Sequence, residues 1–118
     1  MITGLGTDII EVNRIRNCLR RRPRFADRIL TPFERGICLS GGDAPQRIAG
    51  RFAAKEAVAK ALGTSLGWHD VEILADSAGR PEVRLLNGAA ATAAGRRVMV
   101  SISHCRSYAV AHAVAVSD

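Results

Sequence analysis

The chain has 118 residues, of which 47% are hydrophobic and 4% aromatic, and its formal net charge is +6. This length and hydrophobic content exclude a disordered chain and allow one domain with a real core, so we expect a single domain over residues 1–118. The positive charge indicates an acidic or phosphorylated partner, because a basic surface attracts anions before any specific contact forms.

The cysteines and the ends of the chain bear on the compartment. Cys18, Cys38 and Cys105 form no C-x-x-C pair and cannot all be paired within one chain, so a disulfide framework is not expected. The first residues contain no basic region followed by an apolar run, and the apolar C-terminal stretch is far shorter than a membrane span. We therefore expect a cytoplasmic protein with no membrane partner.

The first quarter of the chain predicts a strand followed by a basic helix. Residues 2–12 are rich in Ile, Leu, Thr and Val and contain two glycines, which predicts a strand that another segment can approach closely near Asp8. Asn13 is a candidate cap for the helix, and Pro23 ends it. The polar side of this helix contains Arg14, Arg16, Arg20, Arg21 and Arg22.

Two further helices are predicted in the middle of the chain. Thr31-Pro32-Phe33-Glu34 combines a capping threonine, a proline at the first helical position and a glutamate three residues on, so a helix begins there. Ser40-Gly41-Gly42-Asp43 closes it. A longer helix is predicted over residues 44–62, with Gly63 as its C-terminal stop. The side expected to face the core contains Ile48, Phe52, Ala59 and Leu62.

The segment after the long helix predicts a hairpin and a short helix. Residues 71–75 and 82–86 alternate weakly in hydropathy around Asp76-Ser77-Ala78-Gly79-Arg80-Pro81, which has the composition of a turn. Asn87 is a candidate cap for an alanine-rich helix that runs to about Ala94.

The last segment predicts an antiparallel pair of strands over residues 98–103 and 107–116, rich in valine and alanine. His104 is then expected at the hairpin end and not inside a strand. The whole pattern predicts an α+β fold in which helices pack on an antiparallel sheet.

Asp8 and Glu56 are the candidate metal ligands. Two carboxylates from distant parts of a chain can supply part of the octahedral shell of Mg²⁺, which takes its other ligands from water and substrate phosphate. The alternatives are a turn aspartate that bonds to its own backbone and a solvated pair between Glu56 and Lys60. Spacing alone leaves these alternatives open.

The long helix also places three cations beside Glu56. Arg51 and Lys55 are one turn apart, as are Glu56 and Lys60, so each pair can meet the same ligand. Ammonium groups there could neutralise the charge of a pyrophosphate during phosphoryl transfer. The alternative is that these lysines are only solvated, as isolated helix lysines usually are.

Two other groups of residues have competing interpretations. Ser103 and His104 could hydrogen-bond a phosphate oxygen or a ribose. Alternatively, His104 could be a structural histidine of the hairpin. A serine–histidine nucleophile is disfavoured because residues adjacent in sequence seldom reach the geometry that it needs. The arginine-rich segment 14–28 could neutralise nucleic-acid phosphates, but it lacks interleaved aromatic residues, and it could be a solvated helix face.

Three motifs occur in one order along the chain. They are G-x-D-x-x-x-x-x-R from Gly6 to Arg14, F-x-x-K-E-A-x-x-K-A-x-G from Phe52 to Gly63, and S-I-S-H from Ser101 to His104. Together they resemble the holo-acyl-carrier-protein synthases, the small bacterial class of 4'-phosphopantetheinyl transferases, and the resemblance runs essentially end to end.

The resemblance implies an activity and a fold. The chain would transfer 4'-phosphopantetheine from coenzyme A to a serine of apo acyl carrier protein and release adenosine 3',5'-bisphosphate. Asp8 and Glu56 would hold Mg²⁺, with Mn²⁺ as a possible substitute, and Asp8, Glu56 and Lys60 would be the catalytic residues. The identity of the general base stays open. The fold would be that of the family, assembled as a homotrimer with coenzyme A in the clefts between subunits.

The resemblance also implies binding residues. Those for coenzyme A are Arg51, Lys55, Lys60, Gly63, Pro81, Ser103 and His104. Arg14 matches the arginine with which the family's first helix docks an acidic helix of acyl carrier protein, and Arg20 and Arg21 are added by charge alone. Two rival functions are a basic nucleic-acid-binding module and a non-catalytic coenzyme A-binding protein; under the transferase reading no nucleic-acid partner is expected.

Overall fold

The computed structural model describes residues 1–40 and 42–118, so Gly41 of the predicted closing segment Ser40-Gly41-Gly42-Asp43 lies outside the described residues. The strands are β1 (Ile2–Glu11), β2 (Val71–Ala75), β3 (Pro81–Leu85), β4 (Arg97–His104) and β5 (Tyr108–Val116). The helices are α1 (Val12–Arg21), α2 (Phe25–Ile29), α3 (Pro32–Cys38), α4 (Ala44–Leu62) and α5 (Asn87–Ala93).

The strands form two antiparallel sheets. One has three strands in the order β1-β5-β4, and the other is the β2–β3 hairpin. Helices pack on one side of the larger sheet, so the predicted α+β class is confirmed.

Helix α4 is the centre of the fold, and small residues let the sheet lie directly against it. A Cβ atom added to Gly4 would lie 1.9 Å from the Ala61 carbonyl oxygen, and one added to Gly6 would lie 1.9 Å from that of Ala57. Only glycine permits this approach of β1 to the helix. The residues of β5 that face α4 are all buried alanines: Ala109, Ala111, Ala113 and Ala115. Close backbone packing thus replaces the large aromatic residues that the chain lacks.

Two predicted helix ends are confirmed. Thr31 and Glu34 form a reciprocal capping box at the start of α3: the Glu34 N–H donates to Thr31 Oγ1 at 3.2 Å, and the Thr31 N–H donates to Glu34 Oε1 at 2.9 Å. Helix α4 begins at Ala44 and ends before Gly63, which has the left-handed φ of 77° that favours glycine.

The two predicted asparagine caps are wrong. Helix α1 begins one residue before Asn13, at Val12, whose N–H is satisfied by the carbonyl of Ser107 at 2.9 Å. Asn87 is the first residue of α5 and not its cap, and its side-chain amide donates to Asp70 Oδ1 at 3.2 Å. The residues that do precede the two helices, Glu11 and Leu86, make no capping hydrogen bond through their side chains.

Other expectations need smaller corrections. The short helix α2 was not predicted from the sequence; five residues show little periodicity, although Ala26 and Ile29 within it are buried. His104 is the last residue of β4, paired with Ala109, and so lies inside a strand at the hairpin end. Helix α4 is buried on several sides and not along one stripe, because it packs against both the larger sheet and α1.

None of the helices in residues 1–40 and 42–118 is both long and apolar enough to cross a bilayer.

Candidate active site

Asp8 lies on the face of β1 that meets α4. Strand residues alternate between two faces, and the even-numbered positions that include Gly4 and Gly6 are the less exposed ones. The Asp8 side chain is 18% exposed, and its Oδ2 atom is buried without a hydrogen-bond partner. A buried carboxylate oxygen without a donor is energetically costly unless another group uses it.

Lys60 is the cation nearest to this carboxylate. Its Nζ atom lies 3.6 Å from Asp8 Oδ1 and donates to the carbonyl oxygen of Thr7 at 2.9 Å, while the side chain stays 55% exposed. Burial raises the pKa of the Asp8 carboxyl above its ordinary value, and Lys60 only partly opposes this shift. An additional cation would therefore stabilise the ionised form of Asp8.

Glu56 is half-buried on α4 near the same contact between strand and helix. It precedes Ala57, against whose carbonyl Gly6 packs, and it lies one turn before Lys60. In the described part of the chain, no three His, Cys, Asp or Glu side chains group together as a metal site. Asp8 and Glu56 thus lie on two adjacent elements, and two carboxylates are a donor set that would suit Mg²⁺, which retains water and takes substrate oxygens.

A cleft of about 500 Å³ opens beside the C-terminal half of α4. Glu56, Lys60 and Gly63 lie along it, opposite Trp68 of the segment that leads to β2. It therefore combines a charged side with an apolar side. Lys55 also lines the cleft, so four of the predicted site residues come together there, whereas Asp8 is not one of its lining residues.

The expectation that Lys55 offers its ammonium to a ligand is wrong. Its Nζ atom donates to Glu34 Oε1 at 2.6 Å, to the Ile29 carbonyl at 2.8 Å and to the Trp68 carbonyl at 2.7 Å. The side chain is 2% exposed, and burial lowers the pKa of the ammonium, with Glu34 opposing the shift. Since an ammonium has three N–H donors, none is free for an anion.

A second cleft, of about 240 Å³, collects Arg51, Pro81 and His104 between α4, the hairpin turn and the end of β4. The Nε atom of Arg51 is buried there without a partner. Ser103 does not join them, because it is exposed on the other face of β4 from Ile102 and His104. Within one chain, then, the structure separates the Ser103 and His104 side chains.

A groove of about 610 Å³ runs along α1. Arg14 and Arg21 line it together with Phe52 of α4. Arg20 is exposed but does not line the groove, and its guanidinium bonds to the side chain of Asn17 in the same helix. Two of the three predicted carrier-binding arginines therefore share one surface.

Sequence reasoning missed Trp68 and Glu34. The Trp68 ring packs on Phe52 with centroids 4.8 Å apart, and Glu34 is fully buried against Lys55. The only sequence signal for Trp68 was that it is the one tryptophan of the chain. Glu34 was recognised as a capping residue, but nothing local indicates a partner 21 residues away.

Comparison with known proteins decides the family. The model of the 4'-phosphopantetheinyl transferase superfamily matches residues 4–113. The chain belongs to this superfamily. A holo-[acyl-carrier-protein] synthase from Alkaliphilus metalliredigens is 48% identical, with 98% of this chain and 99% of that protein covered. One from Geobacillus kaustophilus is 47% identical, with 97% and 88% covered.

Solved structures of the same superfamily are also similar. The holo-(acyl-carrier-protein) synthase of Bacillus anthracis, in complex with CoA (3',5'-ADP), has a TM-score of 0.86 at 39% identity, covering 100% of this chain and 99% of that one. The Neisseria meningitidis synthase has a TM-score of 0.88 at 36% identity, covering 99% and 100%. The Helicobacter pylori synthase in complex with coenzyme A has a TM-score of 0.84 at 30% identity, covering 95% and 99%.

Proposed function

We propose that this chain transfers 4'-phosphopantetheine from coenzyme A to a serine of apo acyl carrier protein and releases adenosine 3',5'-bisphosphate. The observation on which the proposal rests is the Asp8 carboxylate, whose buried Oδ2 lacks a partner beside Lys60 and the contact between β1 and α4. The superfamily match and the coenzyme A complexes of relatives give the donor and acceptor.

Asp8 and Glu56 are the residues that would hold Mg²⁺, with Mn²⁺ as a substitute. Bound there, the ion would neutralise charge on the donor's pyrophosphate. Asp8 lies close to the helix that contains Glu56, and its Oδ2 atom has no hydrogen-bond partner. The two carboxylates are therefore a donor set that fits a hard divalent cation.

Lys60 is proposed to offset negative charge as the bridging oxygen of the pyrophosphate departs. Its ammonium is exposed and has only the Thr7 carbonyl as a close acceptor, so it retains N–H donors for phosphate oxygens. Glu56 or a water molecule takes the proton of the acceptor serine. Arg51, Pro81 and His104 line the cleft proposed for the nucleotide end of coenzyme A, and Gly63 lies at the other cleft.

The groove along α1 is the proposed docking surface for acyl carrier protein. Arg14 and Arg21 line it, and Arg20 is exposed on the same helix. Acidic partners are attracted to such a surface over a distance set by ionic strength.

A homotrimer is proposed because the face of the larger sheet opposite α4 exposes large apolar residues. Leu5 is 70% exposed, Ile9 64%, Met99 54% and Tyr108 46%. Such an apolar patch marks an interaction surface. Ser103 is exposed on the same face, so a neighbouring subunit could bring it to a coenzyme A cleft shared between chains. One domain over residues 1–118 and a cytoplasmic location, in keeping with three free cysteines, complete the proposal.

Incubation with coenzyme A, Mg²⁺ and an apo carrier, followed by mass spectrometry of the carrier, tests the activity. The proposal expects the mass gain of one phosphopantetheine, dependent on the metal. A nucleic-acid-binding module would instead bind DNA in a salt-dependent way that survives Asp8→Ala. A coenzyme A-binding protein without catalytic activity would bind the donor and leave the carrier unchanged.

A further inference from the structure

The ion pair between Lys55 and Glu34 connects several elements of the fold. Besides Lys55, the Glu34 carboxylate accepts from the Thr31 N–H at 2.9 Å and from the Ile73 N–H at 2.8 Å. Lys55 in turn bonds the carbonyls of Ile29 and Trp68. Two buried side chains thus join α2, α3, α4, β2 and the segment that follows α4.

This arrangement costs free energy unless every group is satisfied. Desolvation of two charges can exceed their mutual attraction, so such a pair is weak support for stability by itself. Here both side chains are almost fully buried and each has neutral backbone partners as well as the other charge. The main effect of the pair is therefore to hold these elements in fixed positions, and it adds little to the stability of the fold.

The Trp68 carbonyl connects this network to the cleft, which Lys55 also lines. Trp68 belongs to the segment of residues 63–70 between α4 and β2, and it lines the cleft that Glu56 and Lys60 also line. Its ring packs on Phe52, which lines the α1 groove. The two rings, tilted by 31°, therefore lie between the cleft and the groove, and we call this pair the Trp68–Phe52 wall. One residue on, His69 Nε2 makes a 2.7 Å hydrogen bond with the Asp27 carbonyl, an exposed attachment of the same segment.

We propose that Lys55 is a positioning residue: by holding the Trp68 carbonyl, it keeps the Trp68–Phe52 wall in place between the donor cleft and the α1 groove. Its ammonium makes all three of its hydrogen bonds within the protein and so has none for donor or acceptor, although Lys55 also lines the cleft. Without the ammonium, the carbonyl loses a charged donor and the segment can move, so the wall shifts and the donor binds more weakly. The kinetic part of this inference rests on the proposed function, whereas the structural part does not.

The test uses Lys55→Met, which removes the ammonium and keeps most of the stem, and the double variant Lys55→Met with Glu34→Gln, which leaves no unpaired buried charge. The matched control is Val58→Ala, which weakens the core on the same helix at a residue that lines neither cleft nor the α1 groove. Measurements are made where circular dichroism shows each variant folded. Since Trp68 is the one tryptophan of the chain, its fluorescence reports on the wall directly.

Both Lys55 variants are expected to shift Trp68 emission to longer wavelength and to increase its quenching by acrylamide. They are also expected to raise KM for coenzyme A roughly tenfold, because the substitution weakens binding that the ground state and the transition state share. Trp68→Ala is expected to raise KM for coenzyme A similarly. Val58→Ala should keep wild-type emission and KM despite its lower Tm. Wild-type emission with an unchanged KM in a folded Lys55 variant, an unchanged KM in Trp68→Ala, or the same changes in Val58→Ala would overturn the inference. A wild-type chain without transfer activity would refute the proposed function, and Trp68 fluorescence would still decide the inference.

Discussion

Helix α4 contains two lysines five residues apart whose ion pairs differ in almost every respect. Lys55 is buried, lies 2.6 Å from Glu34 and uses all three of its donors within the protein. Lys60 is more than half exposed, lies 3.6 Å from Asp8 and leaves one oxygen of that carboxylate without a partner. The first pair is complete without a ligand, whereas the second is not.

This difference shows how one helix serves structure and chemistry together. A satisfied buried pair fixes neighbouring segments but has nothing to offer a substrate. An incomplete pair leaves a buried polar atom unsatisfied, which raises the free energy of the protein without ligand. A ligand that satisfies this atom therefore binds more tightly. We therefore propose that the Asp8 and Lys60 side of α4 takes part in the chemistry and that the Lys55 side positions neighbouring segments.

The largest expected effect comes from removing the two proposed metal ligands. Asp8→Ala and Glu56→Gln should each lower the transfer rate by on the order of 10²–10⁴-fold, because the site then lacks one of its two acidic groups. The rate is measured as mass gain of the carrier. Glu82→Gln, at an exposed glutamate on β3, is the control and should keep wild-type activity. Wild-type activity in either the Asp8 or the Glu56 variant would show that the substituted carboxylate is not needed for the reaction.

Lys60→Met is expected to lower kcat by on the order of 10²-fold, since a preorganised cation near the departing oxygen stabilises the transition state. Its effect on Tm should be small, because the Lys60 side chain is exposed and surface ion pairs contribute little to stability. Single-turnover kinetics and a thermal scan measure the two quantities. A large loss of Tm with unchanged kcat would make Lys60 a structural residue like Lys55.

Charge reversal on α1 tests the proposed docking surface. Arg14→Glu and Arg21→Glu should each raise KM for the carrier roughly tenfold and weaken its salt dependence, because charges at an interface rim mainly act on encounter. KM for coenzyme A should stay the same. Arg97→Glu, at an exposed arginine of β4, is the matched control. An equal effect of that control would mean that only net charge matters.

The smallest effect concerns the stability of the metal-free protein. The pKa of Asp8 is raised in the folded state by burial, so the stabilisation from its protonated form is present below the ordinary pKa and is lost as pH rises through the raised value. Asp8→Asn should therefore increase the free energy of unfolding at pH 7 by about 1 kcal/mol. Urea titrations in EDTA at pH 7 and pH 3 measure the gain.

At pH 3 the gain should be much smaller, because Asp8 is then largely protonated in both states. A variant less stable than wild type at pH 7 would show that the Asp8 carboxylate is satisfied after all.

Much of the fold was predictable because its signals are local. The capping box at Thr31 and the left-handed Gly63 depend on neighbouring residues, and both were confirmed. The caps predicted at Asn13 and Asn87 were wrong because both residues lie inside their helices, where the Val12 N–H bonds to Ser107 and the Asn87 side chain bonds to Asp70, two distant segments. Local rules cannot include a partner that only the fold brings near.

The site shows the same limit. The sequence placed Arg51, Lys55, Glu56 and Lys60 on one helix, which is correct, but the ammonium groups of both lysines were expected to meet a ligand. Which lysine turns inward depends on Glu34 and on carbonyls from two other segments, and no spacing in the sequence encodes that contact. The close approach at Gly6 was signalled by the glycine itself, since a strand interior seldom contains one without a reason.

The proposed mechanism depends on Asp8 and Glu56 binding one divalent cation together with the donor. Mn²⁺ titration followed by electron paramagnetic resonance, in the presence of coenzyme A, measures this for the wild type, Asp8→Asn and Glu56→Gln. We expect one Mn²⁺ per chain in the wild type and at least roughly tenfold weaker binding in each variant. Equal numbers and affinities of bound Mn²⁺ in all three proteins would contradict it.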